Sequence, residues 1–256
     1  MFKLLKYEFI RKYKLITMTL ISALVLNLYL LTRGIAGSSS FLLLFPLVLS
    51  VLYVSDVIRT YSDDLNKKSG YMLFMTPNSG YKIIMSKLAA AIIEGLGMLF
   101  IYFVFILING AFIIYQTRNY VDINEIMNDI NTLLSGNIGI NLGHVFVFLF
   151  AVLVFVIGFI VTVYTAMTIR KSIFSEIKFG GFLSFIIFLG LNWALTYASG
   201  EFYSIVSPQY DSFVNATTIS ASELLVIMFP VIAVSIIQSI VLTLCSGYLL
   251  EKKINL

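Results

Sequence analysis

Six stretches of this chain are long and apolar enough to cross a lipid bilayer, and no other feature constrains its fold so strongly. A bilayer core of roughly 30 Å takes about 20 helical residues. Residues 15–32, 41–58, 84–114, 144–169, 179–197 and 223–249 approach or exceed that length. Inside lipid every backbone amide and carbonyl must find a partner within the chain, so such segments fold as helices. The expected class is an all-α integral membrane protein, with one six-span domain over residues 1–256. Composition agrees: 59% of residues are hydrophobic and 12% charged, against about 25% charged in a soluble domain. The second stretch contains Pro46 and the sixth Pro230, which packed transmembrane helices tolerate.

Lysine and arginine set the orientation. With the N-terminus inside, the cytoplasmic segments hold Lys3, Lys6, Arg11, Lys12, Lys14, Arg59, Lys67, Lys68, Lys82, Lys87, Arg170, Lys171, Lys178, Lys252 and Lys253. The outer segments hold only Arg33 and Arg118, beside Asp122, Glu125, Asp129, Glu201, Asp211 and Glu223. A bias of this kind across every loop is the positive-inside pattern. It places both termini in the cytoplasm and the chain in the cell membrane, and five or seven spans would break it. The first span has the basic start of a signal peptide. Its apolar run is longer than a usual h-region, so it is expected to be retained.

Three segments outside the spans carry a pattern. In 2–14, Phe2, Leu5, Phe9 and Tyr13 share one helical face and Lys3, Arg11 and Lys14 the other. This predicts an interfacial helix on the inner leaflet, its lysines snorkelling. In 122–134, apolar Ile123, Ile126, Met127, Ile130, Leu133 and Leu134 recur at helical spacing, which predicts a short amphipathic helix on the outer surface. In 59–82, Ser62, Asp63 and Asp64 read as a helix start, with acids near the positive end of the dipole. Leu65, Tyr71, Met72, Phe74 and Met75 follow before a Pro77-Asn78-Ser79-Gly80 turn. A short cytoplasmic helix with apolar residues on a charged loop gains nothing from the bilayer and suits a groove on a soluble partner.

The opening KLLKYEFIRKYK, the acids Asp63 and Asp64, the bases Lys67 and Lys68, Ser69-Gly70 and the run LFMTP-x-S before a Lys-containing entry to the third span form a recognisable series. With its six-span layout, the chain resembles the ABC-2 type permease subunits of bacterial ABC exporters. The resemblance implies that 2–14 is a connecting helix bearing Phe2, Leu5, Phe9 and Tyr13. It implies equally that 62–76 is a coupling helix docking on an ATPase through Asp63, Asp64, Leu65, Lys67, Lys68, Tyr71, Met72 and Phe74. It further implies a second permease, identical or related, and an exported substrate such as an antimicrobial peptide or drug. Loop 198–222 is too polar for the outer hydrophobic hairpin common in that family. No ATPase is encoded: a P-loop needs Gly-Lys, whose amides and ammonium hold phosphates, and that dipeptide is missing from the chain. ATP and Mg are expected on the partner, with no cofactor, metal or nucleic acid on this chain.

Polar residues within the spans are few. Glu94 is the charged residue expected inside the membrane, some 10 Å into the core at 1.5 Å per residue from Lys87. It is read as a packing acid, bonded to a neighbouring helix or to Lys87, with a pathway or gating role as the alternative. Asp56 is expected to pair with Arg59. Asn27, Asn109 and Asn192 are expected to bond between helices, and His144 to mark an interface. One histidine and one cysteine cannot build a zinc site or a metal-type membrane protease, and no Ser-His pair or Asp cluster lies within the spans. A transport subunit rather than an enzyme is expected. A secondary transporter, or another non-enzymatic multi-span protein, is the alternative, although no internal repeat supports it.

Overall fold

The computed structural model describes residues 2–67, 79–118, 128, 131–132, 142–174, 180–206 and 221–252. Its six long helices are α1 (Phe2–Leu31), α2 (Gly34–Asn66), α3 (Gly80–Thr117), α4 (Leu142–Ile173), α5 (Gly180–Val206) and α6 (Ala221–Lys252). All six are long and apolar enough to cross a membrane, and they cover the six stretches read from the sequence, except that Thr32 falls in the turn after α1 and residue 179 lies outside the described residues. Large apolar side chains stand on their outer faces, with Phe155 and Trp193 72% and 75% exposed. The expected outer helix at 122–134 falls almost wholly outside the described residues; of the loop expected at 198–222, residues 198–206 belong to α5 and 221–222 to α6, and 207–220 lie outside the described residues.

The helices overrun the expected spans. α3 has 38 residues, about 57 Å at 1.5 Å per residue. α1 has no break between 14 and 15, so the expected interfacial helix 2–14 is the first part of one continuous helix. Likewise α2 continues to Asn66, so Ser62-Asp63-Asp64 is not a helix start but part of the closing turns of α2. No Gly or Pro interrupts either junction, which leaves nothing to stop propagation.

The chain forms two compact units. The first comprises 1–60 and 86–128, the second 61–85 and 129–256. α2 and α3 each contribute to both.

In the first unit, α1 and α2 are joined by a tight turn at Thr32-Arg33. Gly34 closes it at a φ of 74°, a conformation that costs other residues about 1 kcal/mol or more. A Cβ on Gly37 would lie 2.1 Å from the Leu30 carbonyl oxygen, so only glycine permits the approach. Phe41 stacks on Phe45 at 4.7 Å, and both meet the Phe105 ring edge-on at 5.1 Å. Ser38 donates to Asn109 across α2 and α3 at 2.7 Å, as expected for Asn109. The amide nitrogen of Asn27, by contrast, has no partner among the described residues, and Asn192 bonds within its own helix to Phe188.

Pro46 is accommodated by a specific device. Without an N–H, it leaves the Leu42 carbonyl without a helical partner. The Tyr102 hydroxyl, from α3, donates to that oxygen at 2.9 Å.

In the second unit, α4 packs against α5 and α6. Small and hydroxyl-bearing residues line the α4–α6 contact, as is common where helices pack in lipid. The hydroxyls of Thr165 and Ser246 meet at 2.8 Å, and Gly158 faces Ser239. Gln238 of α6 donates to Ser199 of α5 at 2.8 Å.

The Pro46 device yields a prediction. Tyr102→Phe strands the Leu42 carbonyl, and thermal unfolding in detergent should reveal a loss of about 1–3 kcal/mol. In a Pro46→Ala background, where the restored backbone N–H can take over, the same change should be nearly neutral. Equal losses in both backgrounds would show that the hydroxyl serves another purpose.

Candidate functional site

Charged side chains in this chain do not all stay at its surface. Within the first unit, Glu8, Lys12, Asp56, Lys87 and Glu94 are each less than a tenth exposed. They come from three helices. Lys12 of α1 lies 2.6 Å from Asp56 of α2 and forms a second, very short contact with Glu94 of α3. Glu8, one turn before Lys12 on α1, accepts from Lys87 of α3 at 2.7 Å. Arg11, partly exposed, donates to the other Glu8 oxygen at 2.9 Å and to the Thr60 carbonyl at 3.4 Å. Three acids and three bases thus tie α1, α2 and α3 together.

Sequence spacing explains the arrangement. Glu8 and Lys12 are four apart and Lys87 and Glu94 seven apart, so each pair lies along one helical face. Beyond the cluster, residues 15–32, 34–55 and 95–117 carry no charge. At 1.5 Å per residue these runs measure about 27, 33 and 35 Å, close to the roughly 30 Å of a bilayer core. The cluster, Glu94 included, therefore lies where these three charge-free runs begin. Burying one such charge costs several kcal/mol, which its partners offset only while the geometry is complete.

Two expectations for this region change. The face of α1 that packs inward carries Glu8 and Lys12, while Tyr13 is 67% exposed. Phe9 lines a cleft, Leu5 is half-buried, and the side chain of Phe2 is not described. Lys12 is thus an internal ion-pair partner and does not snorkel. Asp56 pairs with Lys12 instead of Arg59, which is exposed. Glu94 does bond to a neighbouring helix, and Lys87 serves Glu8 instead.

The second unit holds the roots of the loop between α2 and α3. Tyr61 is fully buried, stacked on Tyr164 at 4.1 Å and hydrogen-bonded to Thr168 at 2.6 Å. Arg170 donates to Asn66 at 2.7 Å. On the far side of the loop, Gly80 and Tyr81 press on Gly247 of α6, where a Cβ on Gly80 would come 2.7 Å from the Gly247 carbonyl. Both ends of 67–79 are thereby fixed to α4 and α6.

Of the residues expected to dock a partner, Asp64 and Leu65 lie in the last turns of α2 and are buried. Asp63 and Lys67 remain accessible and pair with each other at 2.7 Å. Lys68, Tyr71, Met72 and Phe74 lie outside the described residues.

Comparisons with protein-family models, with curated proteins and with solved structures find no match to this chain. The site must be read from its own residues. What the sequence does not announce is the grouping: Glu8 draws no notice by itself, and Lys12 and Lys87 look like topology-setting charges. The available signal is an acid and a base on one face, twice, at the border of charge-free runs.

The cluster yields a second prediction. Lys87→Met leaves Glu8 buried with Arg11 alone and should cost about 3 kcal/mol or more. Adding Glu8→Leu should recover part of that loss, as measured by thermal unfolding in detergent. A double variant less stable than Lys87→Met would contradict the pairing.

Proposed function

We propose that this chain is the membrane-spanning permease subunit of an ATP-driven exporter of the ABC-2 type. It would lie in the bacterial cell membrane with both termini in the cytoplasm, and pair with a second permease and with separate ATPase subunits. The observation that carries this reading is the α2–α3 loop. Its central residues include Tyr71, Met72 and Phe74, and its two ends are locked onto α4 and α6 through Tyr61, Asn66 and Gly80. A loop with fixed roots and apolar residues between them suits a lever for a soluble motor. In this reading the docking surface is narrower than the sequence pattern implies: Asp64 and Leu65 serve the lever's root, and 68–78 provides the contact. The absence of Gly-Lys from the sequence supports placing ATP hydrolysis on another chain. The cargo expected of such a permease is an antimicrobial peptide or a drug.

Topology is tested by cysteine labelling in a Cys245→Ala background. Cysteines at 119 and 207 should react with an impermeant reagent added outside intact cells, and cysteines at 78 and 175 should not. Outside labelling at 78 would overturn the arrangement.

The motor contact is tested by changing Tyr71 and Phe74 together to Ala. Each anchor can contribute about 2 kcal/mol to an interface, so ATPase affinity should fall roughly a hundredfold or more while the six helices stay folded. Wild-type binding and transport in this variant would defeat the docking assignment. A secondary transporter is the second reading, favoured by the two buried acids on Lys12. Transport that proceeds with an ion gradient and no ATP would select it.

A further inference from the structure

The seam between α4 and α6 changes character along its length. Gly158 faces Ser239, and seven residues further along both helices Thr165 meets Ser246. The equal steps show that the two helices run parallel, and the small residues let them close there. Towards the N-terminal ends the residues along the seam become large, among them Phe146 and Phe150 of α4 and Phe229 of α6, and a groove of ≈ 630 Å³ opens between the helices. All nine residues that line it are apolar.

Length, volume and polarity restrict what can lie there. Along α6 the lining runs from Leu225 to Ile237, about 18 Å at 1.5 Å per residue. That is close to half of a bilayer core of roughly 30 Å. The groove therefore spans about one leaflet and stops near Ser239, where α4 and α6 close on each other. At about 30 Å³ per methylene-sized group, the volume holds roughly 21 such groups, enough for one long acyl chain and not for two. An α-helix, about 10–12 Å across, would occupy about 1,400 Å³ or more over the same length. A polar or charged ligand would lose its partners on a lining without a polar side chain. Hydrophobicity alone does not favour the groove over bulk lipid, because lipid tails are as apolar as the side chains. Shape does: a chain in the groove meets carbon on several sides, and an unfilled groove forfeits those contacts.

The geometry points to this groove as a binding site for one acyl chain of a membrane lipid, its end lodged near the contact of Gly158 with Ser239. The lipid belongs to the leaflet at the N-terminal ends of α4 and α6, with its headgroup beyond Leu225. The inference is independent of the proposed function, since it needs neither an ATPase nor a second permease.

Tryptophan quenching tests it. Trp193 is the sole tryptophan and stands 75% exposed on α5, outside the groove, so it reports ordinary lipid-facing surface. Phe150→Trp in a Trp193→Phe background reports the groove. Each full chain is held in dodecylmaltoside micelles and titrated with phosphatidylcholine brominated along its acyl chains. The groove reporter should be half-quenched at a mole fraction about tenfold below that needed for Trp193. Tenfold corresponds to about 1.4 kcal/mol, or roughly ten added carbon–carbon contacts. Dipalmitoylphosphatidylcholine should then restore the groove reporter's fluorescence, and dihexanoylphosphatidylcholine, with the same headgroup and short chains, should not. Ala233→Phe, which fills the groove from its wall, should raise the groove reporter's midpoint to that of Trp193. Coincident curves for the two reporters in the unfilled chain would overturn the proposal, and so would equal competition by the short-chain lipid. Coincident curves together with a loss of oligomeric mass in Ala233→Phe would assign the groove to a second copy of this chain instead.

Discussion

The contact on which the first unit depends is the Lys12 ammonium held between Asp56 and Glu94. It joins three helices at one level, just where their charge-free runs begin. Apolar packing between helices contributes little specificity in lipid, because the tails are as apolar as the side chains they replace. An ion pair is different. It fixes the rotation and the height of each helix, because a slip by one residue would leave a buried charge alone at a cost of several kcal/mol. The aromatic contact of Phe41, Phe45 and Phe105 and the Ser38–Asn109 bond then fall into register further along the same helices.

The second unit is built on other forces. Its helices meet through small and hydroxyl-bearing residues, Gly158, Thr165, Ser239 and Ser246, which allow close approach and satisfy their polar atoms locally. The last turns of α2 and the first of α3 belong to this unit, and Tyr61, Asn66 and Gly80 anchor them. α2 and α3 therefore carry an ionic contact in one part of their length and a loop root in another.

Much of this is legible in the sequence. Apolar length locates all six helices, because lipid leaves the backbone no other solution. Asn109 bonds between helices as its type and depth suggest. Helix ends are not legible: 2–14 and 62–66 continue the spans beside them, since no breaker stands at 14 or 58 and charged residues propagate a helix as well as apolar ones. The inward turn of Glu8 and Lys12 is hidden for a related reason. A basic segment before a span normally faces water and phosphates, and only its partners on α2 and α3, far away in the chain, reverse that preference. Asp64 and Leu65 likewise differ from expectation, since they lie on the buried face of the last turns of α2.

The ionic tie is tested most directly by a double-mutant cycle between Lys12 and Glu94. Stabilities of the chain, Lys12→Met, Glu94→Gln and the double variant are measured by reversible unfolding in one detergent. Side chains in direct ionic contact should show a coupling of about 1.5 kcal/mol or more, whereas independent sites add to within about 0.5 kcal/mol. A coupling of that size is what three helices joined through one ammonium require. Additive losses would mean that Lys12 and Glu94 do not act together, and that the first unit is held by its apolar contacts alone.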